Sequence, residues 1–137
     1  MTAAMMAGLA ALGACGKPAQ PSVDGAWVRL PAVPGRPAAA YFTLHGGSAD
    51  VTLVGVGATG AARAELHESM ANGMRPLAGV PVAAGASVTF APGGKHVMLF
   101  AVDPRLTPGK TMPLQLHLAD RELQATAMVL GAADPAP

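Results

Sequence analysis

Short runs of apolar and β-branched residues recur along this chain, closed again and again by glycine or proline, and they dictate an all-β fold. The spacing is roughly 8–12 residues from run to run, too short for helices and right for strands. The runs fall at 25–30, 38–45, 50–58, 63–70, 74–77, 86–90, 96–102, 112–118 and 122–130. With 17 Gly and 13 Pro among 137 residues, turns have ample material and long helices have little. Pro31, Pro34, Gly35 and Pro37 form one loop, Gly46-Gly47 and Gly93-Gly94 form turns, and Asp103-Pro104 and Pro108-Gly109 bracket a longer connection. Ala119-Asp120-Arg121-Glu122 reads as a hairpin turn between two alternating strands. No amphipathic helix stands out. The length suits one domain, whose natural architecture is a Greek-key β-sandwich of two antiparallel sheets.

The N-terminus reads differently. Ala3 to Leu12 is apolar but too short to span a bilayer, and it has the length of a signal-peptide core. Leu12-Gly13-Ala14-Cys15 resembles a bacterial lipobox, so residues 1–15 are expected to be a signal peptide ending at a lipidated Cys15. A free thiol is the alternative reading of Cys15. Residues 16–23 are expected to be a flexible tether, 24–131 the folded domain, and 132–137 a disordered tail. Cys15 is the one cysteine, so no disulfide forms and, once it is lipidated, no thiolate remains to bind metal. That excludes a blue-copper electron carrier, which needs a cysteine ligand. A net charge of +1 gives no electrostatic case for nucleic acid. The expected location is the periplasm, with the membrane reached through the lipid.

One motif carries chemistry. His96-Val97-Met98 places an imidazole and a thioether on the same face of a strand, because strand side chains alternate with period two. Upstream lie His67, Met70 and Met74. Imidazole and thioether without thiolate form a soft donor set, and thioether sulfur selects Cu(I). Packing alone offers a competing reading, with Met98 in the core, His96 an ordinary edge histidine and His67 a surface residue. A methionine at a solvent-facing sheet edge beside a histidine is poorly explained that way.

These residues resemble the PCu(A)C family of periplasmic copper chaperones. The order His, Met, then His-x-Met matches, and 21 residues separate Met74 from His96, the family's usual interval. Met74-Arg75-Pro76-Leu77, Gly79-Val80-Pro81-Val82 and Ala91-Pro92-Gly93-Gly94 match around the motif. Ala26-Trp27-Val28-Arg29 and Ala38 to Leu44 match the first two strands, so the resemblance covers about residues 24–131. It implies a cupredoxin-like sandwich holding one Cu(I) on His67, Met74, His96 and Met98. The six residues between His67 and Met74 are fewer than the family's interval, which leaves Met70 an alternative or additional ligand. The resemblance further implies a monomeric, non-enzymatic chaperone that passes copper to an acceptor. That acceptor is expected to be cytochrome oxidase subunit II, with its dinuclear copper centre, or a Sco-type thioredoxin-like protein.

Two other readings remain open at this level. A copper monooxygenase needs an open metal position and a cleft, and the sequence shows no clustered carboxylates and no Ser/His/Asp arrangement. A metal-free β-sandwich lipoprotein that binds a protein partner fits the same strands. Of the remaining residues, His45 is expected in an exposed turn and His117 on a strand's polar face. Trp27 is expected to anchor the core. Glu68 and Arg75 either orient His67, shape a docking surface or stand solvated.

Overall fold

The computed structural model describes residues 18–137. Over that span all regular structure is strand. β1 is Ser22–Arg29, β2 Ala38–His45, β3 Val51–Ala58, β4 Ala61–Met70 and β5 Gly73–Pro76. β6 is Val80–Val82, β7 Ser87–Phe90, β8 Lys95–Val102, β9 Thr111–Leu118 and β10 Glu122–Leu130. The hydrogen-bonded order is β5-β4-β8-β2-β1-β10-β9-β3-β6, with β7 also on β2. All pairings are antiparallel except β1 with β10. Neighbours distant in sequence, such as β2 with β8 and β3 with β9, are the crossovers of a cupredoxin-like Greek-key sandwich.

Alternation builds the core. Met112, Leu114, Leu116 and Leu118 of β9 are buried while the alternating Thr111, Pro113 and His117 are exposed. Val28, Ala40, Phe42, Leu66, Val97 and Leu99 bring β1, β2, β4 and β8 into the same cluster. Phe42 stacks on Phe90, with ring centroids 4.4 Å apart. Trp27 is buried, but apart from this cluster. It is paired with Tyr41 at 4.5 Å, and the Arg29 guanidinium lies over its ring.

Several expectations need correction. β1 starts at Ser22, inside the span expected to be tether, because Ser22, Val23 and Asp24 pair with His45, Leu44 and Thr43. A bulge after Asp24 then breaks the alternation that would have revealed this strand. Farther back, the Ser48 amide donates to the Ala19 carbonyl. The tail is tied down through its first residues: Arg29 donates to the carbonyls of Gly131, Ala132 and Asp134, and Asp134 accepts from the Gly131 amide. β6 was not expected, since Pro81 sits at its middle. An edge strand tolerates that proline, as it has a free side where no amide is needed. β8 is no sheet edge, for it lies between β4 and β2. His45 ends β2 instead of lying in a turn. His117 is on a polar strand face, as expected, and its Nδ1 lies 2.9 Å from Glu122. The signal peptide, the lipobox and Cys15 lie outside the described residues.

Candidate metal centre

The candidate ligands are set by the registers of β4 with β8 and of β4 with β5. Along the first ladder Arg63 faces Phe100, Glu65 faces Met98 and His67 faces His96. Residues two apart share a face, so these three pairs form one stripe on the side opposite Leu66, Val97 and Leu99. Along the second ladder Ser69 pairs with Met74 and Met70 with Gly73. Met74 therefore joins the His67 face, and Met70 lies on the other one. Gly73 (φ 129°) turns the chain between them in a conformation that side-chain-bearing residues rarely adopt.

The structure brings His67, Met74 and His96 together. The rings of His67 and His96 have centroids 6.0 Å apart, and the Met74 sulfur lies 3.1 Å from His96 Nε2. Met98 shares their face, two residues along the strand from His96, and is partly buried. Met70 does not join them and is exposed. Depth varies across the group. His96 is 5% exposed and Met74, on the edge strand β5, is 55% exposed.

The hydrogen bonds fix which nitrogen of each ring is free. His96 Nδ1 lies 3.0 Å from the Gly94 carbonyl, which can only accept, so Nδ1 carries the proton. In the neutral ring Nε2 then holds a lone pair, and that lone pair faces the Met74 thioether, also an electron-pair donor. His67 shows the opposite choice. Its Nε2 lies 3.0 Å from Glu65 Oε2, so the proton is on Nε2. His67 Nδ1 is left buried without a partner, the one such side-chain nitrogen or oxygen among the described residues. A buried unpaired nitrogen is costly unless something else satisfies it. Two imidazole lone pairs and a thioether, all unsatisfied by protons, fit a soft cation. Among the described residues no three His, Cys, Asp or Glu gather to bind metal, so a metal here needs the sulfur.

Glu65 was missed at the level of sequence. Its signal was parity: it stands two residues before His67 on one strand, hence on the same face. Its carboxyl is held below the usual carboxylate range, first by the His67 N–H and then by Arg63. Glu68 instead faces the other side with Arg75 and Lys95, whose cations hold its carboxyl low as well. It makes no contact that would orient His67. A Ser/His/Asp arrangement also emerges that the sequence did not show. His45 bridges Ser87 (2.6 Å) and Asp24 (3.0 Å) across β7, β2 and β1, where it ties three strands together.

Comparison with known proteins agrees with this architecture. The copper-bound PCuAC domain from PmoF2 superposes with a TM-score of 0.71 at 20% identity, over 84% of this chain and 96% of that one. The Cu(I) form of DR1885 from Deinococcus radiodurans superposes with a TM-score of 0.64 at 28% identity, over 86% of this chain and 82% of that one. The fold is therefore that of the PCuAC domains. A putative lipoprotein of Leifsonia xyli subsp. xyli is 30% identical over 111 residues, which cover 77% of this chain. The match spans 66% of that relative, just under two thirds of its length. The sequence profile described as putative lipoprotein LpqE-like matches residues 22–129, and the chain belongs to that LpqE-like family.

Proposed function

We propose that this protein is an extracytoplasmic copper chaperone that carries one Cu(I) on His67, Met74, His96 and Met98. The observation that carries the reading is the contact of His96 Nε2 with the Met74 sulfur. Two electron-pair donors face each other there, and the ring of His67, whose Nδ1 is unpartnered, has its centroid 6.0 Å from that of His96. The copper-bound relatives of the same fold support the choice of metal.

The donor set suits a cargo rather than a resident cofactor. Imidazole and thioether are neutral, so the bound Cu(I) keeps its positive charge and is held with moderate affinity. Thiolates of an acceptor bind a soft ion better and displace such ligands. Depth sets the order. Met74 is on a four-residue edge strand exposed along its whole length, so an incoming ligand meets it first. His96 is buried within the sheet and releases last. Met74 is preferred over Met70 as the ligand because the β4–β5 register puts Met70 on the far side.

The natural acceptor under this reading is cytochrome oxidase subunit II or a Sco-type protein, with the monomeric domain held at the membrane by a lipid on Cys15. The family assignment supports the anchor. The test is an anaerobic competition titration of the full chain against a chromophoric Cu(I) chelator. One Cu(I) per chain, withdrawn from the chelator by the wild type and not by His96→Ala, is the expected result. A folded wild type that takes up no copper would return the domain to the metal-free, partner-binding reading.

A further inference from the structure

Both oxygens of Glu65 are occupied. Oε1 accepts from Arg63 Nε at 2.9 Å, and Oε2 accepts from His67 Nε2 at 3.0 Å. Arg63 is itself held by Phe100. Its guanidinium lies 4.2 Å from the ring centroid of Phe100, its cross-strand partner, a cation–π contact. The outer face of the β4–β8 pair thus carries a chain of contacts from Phe100 of β8 through Arg63 and Glu65 to His67, whose Nδ1 is orphaned. Glu65 stands directly across from Met98, so its carboxylate borders the candidate ligands.

We propose that Glu65 is a positioning residue, clamped by Arg63, that makes Nδ1 the donor atom of His67 and withholds its own carboxylate from the metal. The inference rests on the copper reading above. A carboxylate that accepts the Nε2 proton selects one tautomer of a neutral ring and fixes its plane. Its second oxygen would be a hard donor suited to Zn(II) or Cu(II), and Arg63 occupies it. The site therefore presents one imidazole through Nδ1 and the other through Nε2, with thioether sulfur and no oxygen. Such a set favours Cu(I) over harder divalent ions.

The test uses the full chain at pH 8, with Glu65→Leu, Glu65→Gln and Arg63→Met. Long-range nitrogen–proton NMR of the metal-free protein reads the His67 tautomer without reference to copper. The wild type, Glu65→Gln and Arg63→Met are expected to keep the proton on Nε2, since each retains an acceptor oxygen. Glu65→Leu is expected to mix the tautomers and to weaken Cu(I) binding by roughly 10–100-fold, the usual cost of losing such a partner. Arg63→Met is expected to raise the ratio of Zn(II) to Cu(I) affinity by freeing the carboxylate. A Glu65→Leu protein that keeps the Nε2 tautomer overturns the positioning role, even if copper binding falls. An unchanged Zn(II)-to-Cu(I) ratio in Arg63→Met overturns the withholding role. If the wild type binds no Cu(I), the chaperone reading fails, and the tautomer of Glu65→Leu still decides whether Glu65 positions His67.

Discussion

The two faces of the β4–β8 ribbon share a backbone and divide the work. Toward the core, Ala64 faces Leu99 and Leu66 faces Val97, and Leu66, Val97 and Leu99 are almost fully buried. Away from it, Phe100, Arg63, Met98, Glu65, His96 and His67 line the outer face that holds the candidate ligands. Each residue on one face is flanked in sequence by residues on the other. The alternation of a strand is therefore what lets a rigid apolar layer hold a donor set in place from one side. Under the copper reading, stability and metal binding should then be separable by single substitutions, one residue apart.

The largest effect expected is on the core face. Leu99→Ala should lower unfolding stability by about 2–5 kcal/mol, read by urea denaturation, because it removes a fully buried side chain and leaves a cavity. At the residue just before it, Met98→Leu should leave the urea midpoint nearly unchanged and weaken Cu(I) binding. Any large loss of stability there would break the division between faces. Met74→Leu should weaken Cu(I) by roughly tenfold, while its effect on stability stays within about 0.5 kcal/mol, as for exposed positions. Met70→Leu, across the hairpin, should change neither. A larger effect at Met70 than at Met74 in the chelator competition would show that the hairpin register does not choose the ligand.

The smallest effect lies at the other end of β8, beyond the stripe. There the Arg105 side chain and amide hold Asp103 down to a pKa of about 2. The folded value is below the ordinary one of 3.8, so the clamp's contribution is complete above pH 3.8 and fades as pH falls toward about 2. NMR titration of the Asp103 carboxyl should show its midpoint there, and Arg105→Ala should move it upward.

Much of this was legible in the sequence, for physical reasons that also mark the limits. The alternation in Thr111 to Leu118 and the turn residues around it suffice to place a strand. Once residues 63–70 are read as one strand, the three-residue step from His67 to Met70 already puts them on opposite faces. Glu65, two residues away, already shares the face of His67. Parity was available and settles both points when combined with the hairpin pairing. Long-range register was not available. Nothing near Asp24, His45 or Ser87 in sequence says that three strands bring them together. The extension of β1 to Ser22 was hidden by the bulge, and β6 by its proline. The contact of Met74 with His96 needs both the β4–β5 and β4–β8 registers at once.

Copper K-edge X-ray absorption on the Cu(I)-loaded full chain tests the central claim most directly. A first shell of two imidazole nitrogens with thioether sulfur, losing sulfur in Met74→Leu and nitrogen in His96→Ala, is the predicted result. A shell of oxygen and nitrogen without sulfur would contradict the account, because the outer face of the β4–β8 ribbon would then be holding the metal through other groups than the ones its registers assemble.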